Sequence, residues 1–143
     1  MPKGKQGIII AHKQAYSCWC NLYANFGATL KDDGDLNTYQ MFVAQTKFNA
    51  SVPAAEWCNS YPLSGVYGGK GFILAKTQLE NIVFNFELIN NALDKVGGDK
   101  LQGWLMSSTE ESETDVWICY SHFPFSDTCN KRQKVFVRCA MAF

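Results

Sequence analysis

Few side chains in this sequence have the type and spacing that catalysis requires. Catalysis needs a nucleophile beside a base, a metal held by converging ligands, or a pair of carboxylates. The two histidines, His12 and His122, are far apart in sequence, and neither falls in a recognised motif. Six cysteines stand at positions 18, 20, 58, 119, 129 and 139, with no CxxC pair and no His-rich partner set. Those spacings do not match a structural zinc site. Cys18 and Cys20, two apart, would face the same side of a strand and bridge poorly, so free and partly buried thiols are expected. The acidic run Glu110, Glu111, Glu113 and Asp115 could supply a general acid and base, but such runs more often form a solvated turn. Gly65-x-x-Gly68-Gly69-Lys70-Gly71 has the look of a phosphate loop. It lacks the Gly-Lys-Ser/Thr ending and a helix directly after it, and reads as a turn. The expectation is a protein that is not an enzyme and that holds no metal and no cofactor.

One polar run is more informative as architecture. Ser107-Ser-Thr-Glu110 sits between Trp104 and Trp117 and reads as a polar turn pinned to an aromatic core, with Glu110 accepting hydrogen bonds from backbone amides.

The elements around these residues follow from periodicity and punctuation. Gly7 to Ala11 reads as a strand through its β-branched isoleucines, and Tyr16 to Tyr23 as a second extended piece. Lys31-Asp-Asp-Gly-Asp is a turn. Thr38 to Phe48 predicts a short helix with Tyr39, Phe42 and Val43 inward. Ser51 to Tyr61 predicts another, capped by Ser51, with Pro53 in its first turn and Trp57 and Cys58 inward. Tyr61 to Gly71 is a glycine-rich loop. Thr77-Gln-Leu-Glu80 resembles a capping box. It opens a stripe of Leu79, Ile82, Val83 and Phe86, continued after a break near Asn85 by Leu88, Ile89, Ala92, Leu93 and Val96. Gly97-Gly98 ends that helix as a left-handed cap. Trp104 to Ser108, Val116 to Ser121 and Val135 to Phe143 read as strands, with polar, aperiodic residues from His122 to Lys134 between the last two. Helices precede strands, so the class is α+β, one domain over residues 1–143. Trp57, Leu79, Val83, Leu93, Trp117 and Val137 are the expected core.

Composition narrows the function classes. The chain has 143 residues, 47% hydrophobic and 14% aromatic, which is enough for one core and unlike a disordered chain. The formal net charge is +0, and no basic cluster extends beyond Lys131-Arg132 with Lys134. No nucleic-acid partner is expected. No apolar run approaches the ~20 residues of a membrane helix, so no membrane insertion is expected. Ile8-Ile9-Ile10 is too short for a signal sequence, which leaves use without secretion, as in a virion, or a leader already removed.

The run Ile89-Asn-Asn-Ala-Leu-Asp-Lys-Val-Gly-Gly-Asp-Lys-Leu-Gln-Gly103, then Trp104-Leu-Met-Ser-Ser-Thr-Glu110, Val116-Trp117 and the closing Val137-Arg-Cys-Ala-Met-Ala-Phe143, resembles a known pattern. Pro53-Ala-Ala-Glu-Trp-Cys58 resembles its upstream helix. The pattern belongs to the C-type-lectin-fold variable proteins of diversity-generating retroelements, and to related surface proteins of the fibrobacter-major-paralogue type. Residues 49–143 carry the resemblance well and 7–48 weakly. Met106 departs from the family's usual Trp, and Gly71-Phe-Ile-Leu-Ala departs from its usual entry to the helix.

The resemblance implies a C-type lectin fold, with helices packed on a small, mostly antiparallel sheet. Residues 1–103 would be scaffold, about 104–136 a variable ligand-binding region, and 135–143 a closing strand. In such proteins adenine-directed mutation of AAC-like codons keeps the final pyrimidine and excludes Lys, Glu, Gln, Met and Trp. None of those five occurs from Ile118 to Asn130. The implied binding face is Leu105, Thr114, Asp115, Ile118, Tyr120, His122, Pro124, Phe125, Ser126, Asp127, Thr128, Cys129, Asn130 and Arg132. The implied partner is a protein or glycan on a target cell, met from a virion or cell surface. A non-diversified adhesion domain is the alternative. The third reading is a formylglycine-generating-type enzyme, which shares the broad fold but depends on reactive cysteines or metal. The lectin tripeptides Glu-Pro-Asn and Trp-Asn-Asp are absent, so the fold by itself implies no sugar.

Overall fold

The computed structural model describes residues 7–61 and 70–142. The glycine-rich stretch from Pro62 to Gly69, and Phe143, lie outside the described residues. The class is α+β: the described residues form four helices and two sheets.

The smaller sheet has the order β1-β8-β3, with β1 at Ile8–Ile10, β8 at Cys139–Ala142 and β3 at Phe72–Ile73, all antiparallel. The larger has the order β2-β7-β4-β5-β6, formed by Ala15–Ser17, Val135–Val137, Trp104–Glu110, Asp115–Tyr120 and Ser126–Asn130. Among the described residues only the β4–β7 pairing is parallel. The expected closing strand is therefore two strands in two sheets, broken at Arg138. Arg138 is buried and donates to the carbonyls of Ala11 and Asp99 and to Gln14 Oε1. Its guanidinium ties together three segments, which explains why the chain changes sheets there.

The helices correct several sequence expectations. Helix α1 spans Gly34–Phe48 and starts at Asp33, whose side chain accepts from the Leu36 amide. Its inward face is Asn37, Thr38, Met41 and Ala44, while Tyr39 and Val43 are exposed. A polar inward residue misled the periodicity: the Asn37 side chain satisfies itself on Leu30, Ser108 and Thr109. Helix α2 spans Pro53–Ser60 with Val52, not Ser51, at its cap. The carbonyl of Cys18 takes the Ala54 amide instead. Helix α3 spans Lys76–Phe84 and α4 spans Phe86–Lys95, with the expected break at Asn85. Gln78, not Thr77, does the capping: its Oε1 accepts from the amides of Ala75 and Gly34. Gly97 at φ +69° closes α4 as a left-handed cap, and the Gly98 amide returns to the Leu93 carbonyl.

Two buried clusters flank the large sheet. One gathers Trp19, Phe26, Met41, Val116, Ile118 and Val137; the other gathers Phe72, Leu79, Val83, Leu93, Leu105 and Cys119. Leu79, Val83, Leu93 and Val137 are buried as expected, whereas Trp57 and Trp117 are only half-buried. Trp117 faces α3, with the Lys76 ammonium 4.9 Å above its ring. All six cysteines are free thiols, and Cys18 and Cys20 lie beyond the end of β2, not within a strand. Among the described residues no helix is long and apolar enough to cross a membrane.

Candidate functional site

The run Ser107 to Glu110 is not a turn. It lies within β4, and all four side chains are buried. The ladder to β5 shifts register between Met106 and Glu110, which frees the backbone and side chains of this stretch to bond elsewhere. Ser107 Oγ donates to the Trp117 carbonyl, the Ser108 amide to the Leu74 carbonyl, and Thr109 Oγ1 to the Leu30 carbonyl. Glu110 accepts from the amides of Phe26, Gly27 and Ala28 at 2.7, 2.7 and 3.0 Å. The expected acceptance of backbone amides is present, but from a distant segment. Its counter-charge is Lys131. Lys131 is 0% exposed, donates to Glu110 Oε2 and the Ala24 carbonyl, and lies 4.9 and 5.3 Å from the Trp19 and Phe26 ring centroids. In the sequence Lys131 stood out only as part of the short basic cluster with Arg132 and Lys134, and this role was not visible. The aromatic residues and the acid that enclose it lie far away along the chain.

This network makes β4 and β5 a rigid base for the β5–β6 hairpin. The tip, residues 121–125, is tied down by the buried Ser121, whose amide donates to the Gly103 carbonyl and whose hydroxyl bonds His122 Nδ1. The Tyr120 amide donates to the Phe125 carbonyl. The segment expected to be aperiodic therefore contains a paired strand, β6, in register with β5 from Asp115↔Asn130 to Cys119↔Ser126. Its alternation was hidden because its mostly polar, half-buried residues carry no hydrophobic period.

At the hairpin tip aromatic side chains reach the surface together. Tyr120 is 39% exposed, Phe125 50% and Phe123 63%. The half-buried Trp104 ring stands 5.4 Å from Tyr120 and 6.1 Å from Phe125, and His122 stands 5.8 Å from Tyr120 and 5.2 Å from Phe86 of α4. Pro124 and Asp127 are exposed beside them. Trp104 and Phe86 were not among the sequence candidates. Trp104 pairs with Tyr120 across the ladder, a relation that only the sheet register reveals.

The other candidates divide. Thr114, Asp115, Asn130 and Arg132 gather at the far end of β5, about 20 Å away by strand rise. There Tyr23 donates to Asn130 Oδ1, and Arg132 lies 5.6 Å from the Tyr23 ring. Ser126 and Thr128 share the strand face that looks toward α3, and Ser126 Oγ donates to Glu80. Cys129 is half-buried against the first cluster. Leu105 and Ile118 are corrections: both are buried, because each belongs to the core side of its strand. Neither can meet a ligand in this fold.

Two thiols of the hairpin have little nucleophilic character. Burial pushes Cys119 and Cys129 up to about 11, with Asp115 and Asp127 adding to the rise at Cys129. At neutral pH both remain protonated. Burial also raises Cys58, whose thiol adjoins Cys139. Among the described residues no group of three or more His, Cys, Asp or Glu is arranged to hold a metal. A cavity of about 510 Å³ lies away from the hairpin, between Phe72, Leu36 and the carboxylates of Asp32, Asp33 and Asp35. Asp33 there is committed to capping α1.

Compared with known protein families, the chain matches none. Compared with curated proteins, it has no match either.

Proposed function

We propose that this protein is a ligand-binding display module with the C-type lectin fold, whose β5–β6 hairpin is the variable, partner-recognising element of a diversity-generating retroelement system. The observation that carries the reading is the cluster of Trp104, Tyr120, His122 and Phe125 at the surface, mounted on a base whose polar groups are hydrogen-bonded and buried. Tyr, Trp and Phe supply large, rigid contact area with few rotors to freeze, as recognition loops require. The sequence similarity described above supports the same reading, as does the lack of the five excluded residue types from Ile118 to Asn130. Recognition is of a protein or glycan on a target cell, from a virion or cell surface.

The test has two arms. The first reads the nucleotide sequence flanking the gene for a near-identical template repeat beside a reverse transcriptase. Its absence would leave a non-diversified adhesion domain of the same fold. The second screens the immobilised protein against cell-surface proteins and glycans, then repeats any positive with the Tyr120→Ala and Phe125→Ala double variant. Recognition should fall at least about tenfold, since central aromatic contacts are worth about 2 kcal/mol or more when truncated. Binding unchanged by that double substitution would overturn the placement of the site.

A further inference from the structure

Helix α4 leaves apolar side chains exposed beside its inward stripe. Its inward side, Phe86, Ile89 and Leu93, packs on the second core cluster. Its outward side should then be polar, as on an ordinary surface helix. Instead Leu88 and Ala92 of α4, with Phe84 at the end of α3 and Val96 at the cap of α4, stand four residues apart and all are exposed. Phe84 is 76%, Leu88 72% and Val96 67% exposed. Phe84 and Leu88 also line one shallow groove of about 260 Å³ at the α3–α4 break, so these two side chains lie together across it. Contiguous exposed apolar side chains of this kind mark a contact surface.

We infer that this ridge is the contact between two copies of the chain, paired α4 to α4 in antiparallel fashion about a twofold axis. The ridge is complementary to itself in that arrangement. An axis near Asn90 sets Phe84 against the partner's Val96 and Leu88 against the partner's Ala92, a large side chain against a smaller one at each step. Ridges of this four-residue spacing are the commonest to interdigitate between helices. The charges agree. Glu87 lies in the first turn and Lys95 in the last, on the same flank, and neither has an ion-pair partner among the described residues. Antiparallel pairing brings each Glu87 to the partner's Lys95 and Asn91 to the partner's Asn91. A contact of one helix per copy falls below the roughly 800 Å² per side of a standard interface, so the association is weak. Because His122 rests on Phe86 of the same helix, two paired copies carry two hairpin tips and gain avidity for a multivalent surface.

The test is sedimentation velocity on the full chain from about 1 µM to 1 mM, a range set to capture a weak interface. The expected result is a reversible monomer–dimer equilibrium. Leu88→Asp should weaken it at least about tenfold, with a thermal melt unchanged because Leu88 is exposed. Glu87→Lys and Lys95→Glu should each weaken dimerisation, more so at low salt, and the double swap should restore it to within about threefold. A chain that stays monomeric throughout the range would overturn the inference and assign the ridge to a different partner. So would a dimer indifferent to Leu88→Asp, or a double swap no better than the single ones.

Discussion

Lys131 is a cation with no exposed surface, held by one carboxylate, one carbonyl and the faces of two aromatic rings. Removing one member of such a pair strands the other charge and typically costs about 3–5 kcal/mol. Glu110→Ala and Lys131→Ala should each fall in that range by urea denaturation. The joint variant Glu110→Gln, Lys131→Met should cost clearly less than the sum of its two single substitutions, since they share one network. Strict additivity would show that the two side chains do not act together. A second expectation concerns the thiols. Cys119 and Cys129 sit at about 11 in the fold, against about 8.5 for an open chain. The folded state therefore binds these protons more tightly than the unfolded one. Their stabilisation is complete below about pH 8.5 and lost as pH rises through about 11. Melting temperature should decline across that window, and Cys129→Ala should flatten the decline. An alkaline limb with the same slope in the variant would assign it to other groups. At this scale the sequence was readable where chemistry is local. Glu110 as an acceptor of backbone amides was legible from its type and setting, but its lysine was not, because the pairing depends on how distant segments meet.

Elements were legible where one face is apolar and the caps are ordinary. The α3 stripe, the break at Asn85 and the Gly97 cap follow from spacing and residue type. The α1 face did not, because Asn37 turns inward to bond Leu30, Ser108 and Thr109. Nor did the outward ridge of α4, which merged in the periodicity with its inward stripe. The split of the closing strand was hidden for a similar reason: Arg138 interrupts an apolar run with a side chain that is itself buried. β8 lies between β1 and β3 and pairs with both. Removing it leaves two strands of two or three residues without a ladder and opens Phe72 and Leu74 to water. Deleting Ala140 to Phe143 should therefore abolish the cooperative melt, followed by circular dichroism. A truncated chain that melts like the full one would mean that the small sheet contributes little, and that Arg138 alone anchors this end of the hairpin support.

For the whole molecule, the decisive property is that change at the hairpin tip is separated from the network that holds the fold. The tip side chains of His122, Phe123, Pro124, Phe125 and Asp127 are exposed, while the groups that fix the hairpin are backbone atoms and the buried Ser121. Exposed substitutions away from special features usually shift stability by no more than about 0.5 kcal/mol. Core truncations such as Leu105→Ala typically cost about 2–5 kcal/mol, a large part of a small domain's total stability. Two libraries make the separation measurable. One randomises Tyr120, His122, Phe123, Phe125 and Asp127; the other randomises Leu105, Ile118, Cys119 and Ser121. Displayed and sorted for protease resistance, most members of the first should survive, and few of the second. The comparison also tests the sequence-derived binding face, because Leu105 and Ile118 were placed on it and belong to the core. Equal survival would show that the large sheet tolerates core change as readily as tip change. Heavy loss from the first library would show that the aromatic cluster of Trp104, Tyr120 and Phe125 holds the hairpin together, and the tip would then be a structural element with no freedom to vary.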